Sequence, residues 1–324
     1  MTDFYKTLPG FERSEVLPAS GSHRIYSRLF FGDGHTEIGV ENETSAENAS
    51  FIAIDRHLRS KGLRVPEVYA VSDDGLCYTQ QDLGDVALHD CLDRKDILLR
   101  VMEELPALQF GGADFDFSKC FSTKQFGSRI INFDLNYFKY CFLRTYGALF
   151  DENLLQDDFD RLCSDLLSVE GDTFFYRDFQ SRNVMVHNGE PWYIDFQGGF
   201  RGPFYYDLVS FMYHASSAFS DELRIELKTR YFESLQKFMK LDRREFDSNM
   251  DAFALLRIMQ ALGAYGFRGL TEHKRYFADC IPAALRNLAS VSTERYPYIR
   301  HLALSLAEGF GAGKEGLPGK EILR

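Results

Sequence analysis

Asp172-Thr-Phe-Phe-Tyr-Arg-Asp178-Phe-Gln-Ser-Arg-Asn183-Val-Met-Val-His-Asn-Gly-Glu-Pro-Trp-Tyr-Ile-Asp195 is the stretch from which the rest of the chain is read. Phe174 to Tyr176, Val184 to Val186 and Trp192 to Ile194 are short apolar runs with strand character. His187-Asn188-Gly189-Glu190 places an Asn-Gly turn between the last two. Three polar side chains are thereby held at the ends of strands: Asp178, Asn183 five residues on, and Asp195 twelve beyond that. Each alone is an ordinary turn former, because short Asp and Asn side chains bond their own backbone. Together they suit metal-dependent phosphoryl transfer, in which one carboxylate orients the attacking hydroxyl while an amide oxygen and a second carboxylate bind magnesium on the nucleotide phosphates.

This spacing resembles the protein-kinase-like superfamily, where the catalytic Asp stands five residues before an Asn and a later strand ends in Asp-Phe-Gly. Two departures point away from the protein kinases themselves. Tyr176 occupies the place of the His in His-Arg-Asp, and Asp195-Phe196 is followed by Gln197 instead of Gly. With Ile194-Asp195-Phe196-Gln197, then Gly202-Pro203 and Tyr206-Asp207-Leu208, the chain is similar to the aminoglycoside phosphotransferase and choline kinase family. Within that family it resembles the sugar kinases that phosphorylate N-acetylmuramate or N-acetylglucosamine at the anomeric hydroxyl. The resemblance runs over residues 15 to 290 and is strongest over 172 to 211.

It implies an α+β, bilobal protein-kinase-like fold. A small antiparallel β-sheet N-lobe with one main helix would occupy residues 1–84, a larger and mostly helical C-lobe 85–300, and a tail or linker 301–324. It also implies ATP and Mg2+, with Asp178 orienting the acceptor hydroxyl, Asn183 and Asp195 holding the metal, and Arg177 and Asp207 bracing the catalytic loop. Arg182 and Arg201 are placed to balance charge. His214 and Arg257, with Tyr265 and Arg268, are the polar side chains of the later segments that could reach an acceptor sugar, against ordinary packing roles.

Composition bounds the function classes. A chain of 324 residues with 45% hydrophobic content can bury a substantial core. Lys and Arg number 37 against 48 Asp and Glu, a net charge of −11, which argues against a general nucleic-acid or anionic-membrane surface. The six cysteines show no Cys-x-x-Cys pair and read as reduced thiols of an intracellular protein. The N-terminus lacks the basic start and apolar run of a signal peptide, and no stretch approaches the roughly 18 apolar residues of a spanning helix. The expectation is a cytoplasmic protein acting on a small molecule, with no nucleic-acid or membrane partner.

In the N-terminal part, Glu15 to Leu17 and Ile25 to Phe31 read as a hairpin whose turn contains Ser20, Gly21, Ser22 and Arg24. In a kinase-like lobe that turn lies over the nucleotide phosphates, where small residues let backbone N–H groups approach the oxygens. The expected lysine on the third strand, Thr36 to Val40, is missing, for no lysine stands between Lys6 and Lys61. Arg24 and Arg28 are the available cations. A guanidinium holds phosphate oxygens in a bidentate way, and Arg24 is the expected substitute, a solvated hairpin arginine being the alternative.

Thr44-Ser45-Ala46-Glu47 has capping-box spacing ahead of Phe51, Ile54 and Leu58, so Glu47 reads as a helix cap. Gln81-Asp82-Leu83-Gly84-Asp85 breaks the strand pattern as a hinge would, with the backbone around Gln81 and Asp82 expected to read the adenine edge. Residues 110 to 130 read as a loop of the acceptor site. Phe133, Tyr137, Tyr140, Cys141 and Tyr146 form an aromatic stripe expected to be core. An aminoglycoside kinase, a choline-type kinase and a nucleotide-binding pseudokinase remain as alternatives.

Overall fold

Strands come first, and in Ile25–Phe31 every second residue from Ser27 onward is buried. In the computed structural model, which describes residues 3–18, 24–121 and 123–311, the chain divides into two units. The first comprises Met1–Gln125 with Thr173–Arg201, and the second Phe126–Asp172 with Gly202–Arg324. Strands β1 (Phe11–Val16), β2 (Ile25–Phe31), β3 (Thr36–Glu41), β4 (Val68–Val71) and β5 (Cys77–Gln81) build an antiparallel sheet in the order β1-β2-β3-β5-β4. Strand alternation sorts its side chains into two faces. A Cβ on Gly39 would lie 2.6 Å from the Tyr5 ring, so Gly39 faces the core patch of Tyr5, Leu29 and Phe31. Ile38 and Val40 therefore face the other way. So do their cross-strand partners Arg28, Tyr26, Gln80 and Tyr78, because directly paired residues share a face.

The helix expected after Thr44 is α1 (Ser45–Ser60), with Phe51, Ile54 and Leu58 buried. Its start differs from a capping box: Thr44 makes no side-chain cap bond, and Glu47 Oε2 accepts from Asn42 Nδ2 at 2.9 Å. The physical reason is a competing partner for Glu47, described below. Helix α2 (Lys95–Gly111) ends against the next strand, where a Cβ on Gly112 would lie 2.5 Å from Phe174. Strands β6 (Thr173–Phe175), β7 (Val184–His187), β8 (Glu190–Tyr193) and β9 (Phe200–Gly202) complete the strand set, β7 and β8 forming the expected hairpin. Asn188 (φ 53°) and Gly189 (φ 78°) both take the left-handed conformation that such a two-residue turn requires.

The boundary expected at residue 84 falls inside the first unit, because the segment after β5 is tied to the later hairpin. His187 Nδ1 lies 3.1 Å from the Leu83 carbonyl, and the Val186 N–H donates to the Val86 carbonyl at 2.8 Å.

The second unit carries α3 (Ser128–Tyr137), α4 (Glu152–Leu167), α5 (Tyr205–Met212), α6 (Asp221–Leu235), α7 (Arg243–Tyr265), α8 (Arg275–Val291) and α9 (Pro297–Gly311). Ser220 and Asp242 cap α6 and α7 by accepting backbone N–H groups of the first turn. The aromatic stripe is corrected here. Phe133 is 63% and Tyr140 56% exposed, while Phe138, Phe142 and Tyr146 stack in the interior at 5.7 and 5.1 Å. Phe138–Arg144 is a π-helix, whose wider turn rotates the buried face away from the α-helical count. Residues 301–311 continue α9, so the helical part runs past the expected start of the tail. Among the described residues no helix is long and apolar enough to cross a membrane.

Candidate active site

The strand β6 runs into Tyr176, which is fully buried and donates its hydroxyl proton to the Ile194 carbonyl. Its ring meets Phe179 (5.1 Å) and Phe196 (6.1 Å) edge-on. A phenol thus spans from the catalytic-loop strand to the residue before Asp195, a packing role at the position where kinases carry His. Arg177 follows at φ 77°, a conformation that costs a non-glycine residue about 1 kcal/mol and turns the chain so that Asp178 leaves the strand. Asp195 sits at φ 67° after β8.

Asn183 ties these two turns together. Its Nδ2 donates to the Asp178 carbonyl at 2.8 Å and lies 3.3 Å from Asp195 Oδ2, while its own carbonyl accepts the Ile194 N–H at 3.0 Å. With both amide hydrogens directed inward, Oδ1 of Asn183 is the atom left to act as a ligand. Asp195 Oδ1 accepts from Gln197 Nε2 at 2.7 Å. Burial pushes the Asp195 carboxyl above its ordinary value; the Asp178 charge adds to this, and Gln197 and Arg24 work against it. One amide oxygen and one carboxylate side by side fit a small hard cation that completes its shell with water and phosphate oxygens. Among the described residues no group of three His, Cys, Asp or Glu forms a cage without such help.

Phe196 stacks on Phe51 of α1 at 4.7 Å and 7°, and Phe51 on Tyr78 of β5 at 5.3 Å. The segment carrying Asp195 is thereby packed against α1 and the sheet. Glu47, on the same helix, faces Arg24 Nη2 at 3.2 Å, and the Arg24 side chain is only 2% exposed. Glu47 is thus the partner of a buried guanidinium, which corrects its reading as a cap. Arg28 is committed elsewhere: its Nε donates to Asp82 Oδ2 at 2.7 Å and Nη2 to Asp85 Oδ1 at 2.6 Å. Burial alone would raise the Asp82 carboxyl, but Arg28, the Gly84 N–H and the Thr36 hydroxyl together hold it below its ordinary value. Asp82 staples the hinge to β2 and β3, and the Gln81 N–H donates to the Glu67 carbonyl at 2.8 Å.

Ser20, Gly21 and Ser22 lie outside the described residues. Arg182 is exposed on the short turn Ser181–Asn183, and the Arg201 guanidinium lies 5.0 Å over the Phe117 ring. Arg177 stands 6.0 Å from the Phe200 ring. In the second unit Asp207 is fully buried on α5. His214 and Arg257 are brought together there, lining a cavity of about 10 Å³ with Ser210, Tyr213 and Tyr265; Arg257 Nε donates to Ser210 Oγ at 2.8 Å. That space holds about one water. Sequence reasoning missed Gln197 as a partner of Asp195, and Phe51 as the contact between α1 and Phe196. The apolar spacing of α1 marks Phe51 as buried without saying against what.

The strands and helices form a protein-kinase-like α+β fold. Residues 142–246 match the phosphotransferase enzyme family, and the matches together indicate a small-molecule kinase. The chain is similar to an N-acetylmuramate/N-acetylglucosamine kinase of Neisseria meningitidis serogroup B, at 25% identity over 304 residues, 90% of this chain and 89% of the relative. Among solved structures it is similar to an ethanolamine kinase of Plasmodium vivax, with a TM-score of 0.61 and 12% identity over 91% of this chain and 87% of that one. It is also similar to the aminoglycoside phosphotransferase APH(4)-Ia in a ternary complex with ADP and hygromycin B, with a TM-score of 0.56 and 16% identity over 93% of this chain and 99% of that one.

Proposed function

We propose that this protein transfers the γ-phosphate of ATP, with Mg2+, to a hydroxyl of an amino sugar such as N-acetylmuramate or N-acetylglucosamine. The observation that carries the reading is the Asn183 side chain, which bonds the backbone of Asp178 and approaches the carboxylate of Asp195. When bound, magnesium nucleotide supplies the phosphoryl group and the neutralising charge. The Asp178 carboxylate orients the acceptor hydroxyl and takes up its proton, while Asn183 Oδ1 and the Asp195 carboxylate hold the cation. Arg177 braces these groups, Arg24 faces the phosphates, and the backbone at Gln81 and Asp82 meets the base. Arg182, Arg201, His214 and Arg257 serve the acceptor. Such a reaction needs positioning and electrostatics more than covalent chemistry.

The sugar acceptor is supported by the similarity to the Neisseria meningitidis kinase. The reading includes a cytoplasmic protein without nucleic-acid or membrane partners, in keeping with the acidic balance of the sequence. Incubation with ATP and Mg2+ and one of four acceptors, N-acetylmuramate, N-acetylglucosamine, hygromycin B or choline, followed by 31P NMR, tests it. A new sugar phosphate signal is expected. Transfer only to hygromycin B or choline would replace the sugar assignment, and nucleotide binding with no transfer to any acceptor would favour a pseudokinase.

A further inference from the structure

Within the second unit, the C-terminal end of α4, the first half of α7 and the turn between α8 and α9 enclose a cavity of about 320 Å³, a size that suits a small molecule. None of its walls belongs to a residue assigned above to the transfer. The polar groups on those walls have most of their protons already placed. Ser168 Oγ donates to the Asp165 carbonyl at 2.6 Å, Ser248 Oγ to the Glu245 carbonyl at 2.9 Å, and Asn249 Nδ2 to the Tyr205 hydroxyl at 3.3 Å. One amide hydrogen and the Thr293 hydroxyl apart, what these side chains still offer a ligand is lone pairs. Arg295 is the one cation on the described walls, and its guanidinium turns to Asp165, which also accepts the Tyr296 hydroxyl at 2.6 Å. With that pair cancelling, the walls carry the negative charge of Asp251. This carboxylate is open to solvent and makes no hydrogen bond or ion pair among the described residues, for its basic neighbour Lys228 is taken by Asp247 at 3.0 Å. Two helix ends add to the charge. Ser168 follows the last residue of α4 and Thr293 lies just beyond the end of α8; neither helix has a basic residue in its last turn, so the partial negative charge of the terminal carbonyls acts on this space. The opposing N-terminus of α9 is already served by Asp158 Oδ2, which accepts the Tyr298 and Ile299 N–H groups at 2.8 and 3.0 Å.

We propose that this cavity is a binding site for a small organic cation bearing primary ammonium groups, with Asp251 as its charge partner and Ser168, Ser248 and Asn249 as hydrogen-bond acceptors. Acceptor-rich walls select N–H donors over a quaternary ammonium, which has none and would leave the lone pairs unmatched. A neutral sugar brings hydroxyl donors but gains little from the Asp251 charge and the helix ends. A ligand seated here touches α4, α7 and the α8–α9 turn together, and by binding only the folded chain it stabilises the second unit. The site stands independently of the phosphotransferase reading.

The test uses the full chain and 1,4-diaminobutane, compared with the bis-trimethylammonium analogue of the same span, by calorimetric titration and melting temperature at fixed ionic strength. The diamine is expected to bind one-to-one with a Kd of about 1 mM or below, about tenfold or more tighter than the quaternary analogue, and to raise the melting temperature. Asp251→Asn is expected to weaken diamine binding about tenfold, the scale of a hydrogen bond to a charged group, and Asn249→Ala about threefold. Asp178→Asn is expected to bind the diamine as the parent does. The absence of saturable binding overturns the proposal. So does equal affinity for the quaternary analogue, which would mark attraction to the net charge of −11 alone. A folded Asp251→Asn or Asn249→Ala variant that binds the diamine as tightly as the parent overturns it by placing the ligand elsewhere, and loss of diamine binding in Asp178→Asn overturns it by placing the ligand at the transfer site.

Discussion

Asp195 and Gln197 show how one residue choice tunes another. In place of the glycine of Asp-Phe-Gly, Gln197 donates to Asp195 Oδ1 and leaves Oδ2 near Asn183. Gln197→Gly should free the carboxylate to rotate, raising the Mg2+ concentration for half-maximal activity about threefold to tenfold, the scale of a lost outer-shell hydrogen bond. An unchanged magnesium titration would contradict this. Asp55 of α1 gives a second, independent test. It is 1% exposed, and burial pushes its carboxyl up to about 7, Arg59 and Arg56 offsetting only part of the effect. An acid raised in the folded state contributes stability that is fully present below its unfolded value near 4 and is lost as pH rises through 7. Asp55→Asn should therefore lose about 1–3 kcal/mol less stability than the parent between pH 5 and pH 8. Melting curves of the two proteins that stay parallel with pH would refute it. The spacing of Asp178, Asn183 and Asp195 stands out in the sequence because each borders a short apolar run, Asp178 and Asp195 after one and Asn183 before one. The partners of Glu47 and Gln197 do not stand out, since local spacing offered Glu47 a cap and nothing in the chain near it names Arg24.

Elements whose period is regular were the legible ones. The Asn188-Gly189 turn and helix α1 follow from local chemistry alone, the first from left-handed φ values and the second from the interval of Phe51, Ile54 and Leu58. The π-helical turn Phe138–Arg144 is different, because its extra residue per turn comes from packing and has no composition signal. A Cβ on Gly266 would lie 2.0 Å from the Cys141 carbonyl oxygen, so the second π-helix, Gly266–Thr271, approaches the first backbone to backbone. Phe138→Ala should cost about 3–5 kcal/mol and Phe133→Ala less than about 0.5 kcal/mol. Chemical denaturation giving the reverse order would restore the stripe read by α-helical counting. Gly266→Ala should destabilise by about 2 kcal/mol or more, since the obstacle is backbone that cannot rotate away.

At the scale of the whole molecule, the class of fold was readable. The first unit joins Met1–Gln125 to Thr173–Arg201, and the links between them, such as His187 to Leu83, span residues too far apart for any local pattern to record. The result of that arrangement is that the five-stranded sheet, α1 and the Asp178 to Asp195 segment share one packed body. The central claim is that Asp178 orients an acceptor hydroxyl for phosphoryl transfer from ATP. Its most direct test is Asp178→Asn, followed by transfer of labelled γ-phosphate to N-acetylmuramate or N-acetylglucosamine and by Mg-ATP titration of the same preparation. Turnover is expected to fall by about a thousandfold or more while Mg-ATP affinity stays within about threefold; turnover near that of the parent would contradict the account.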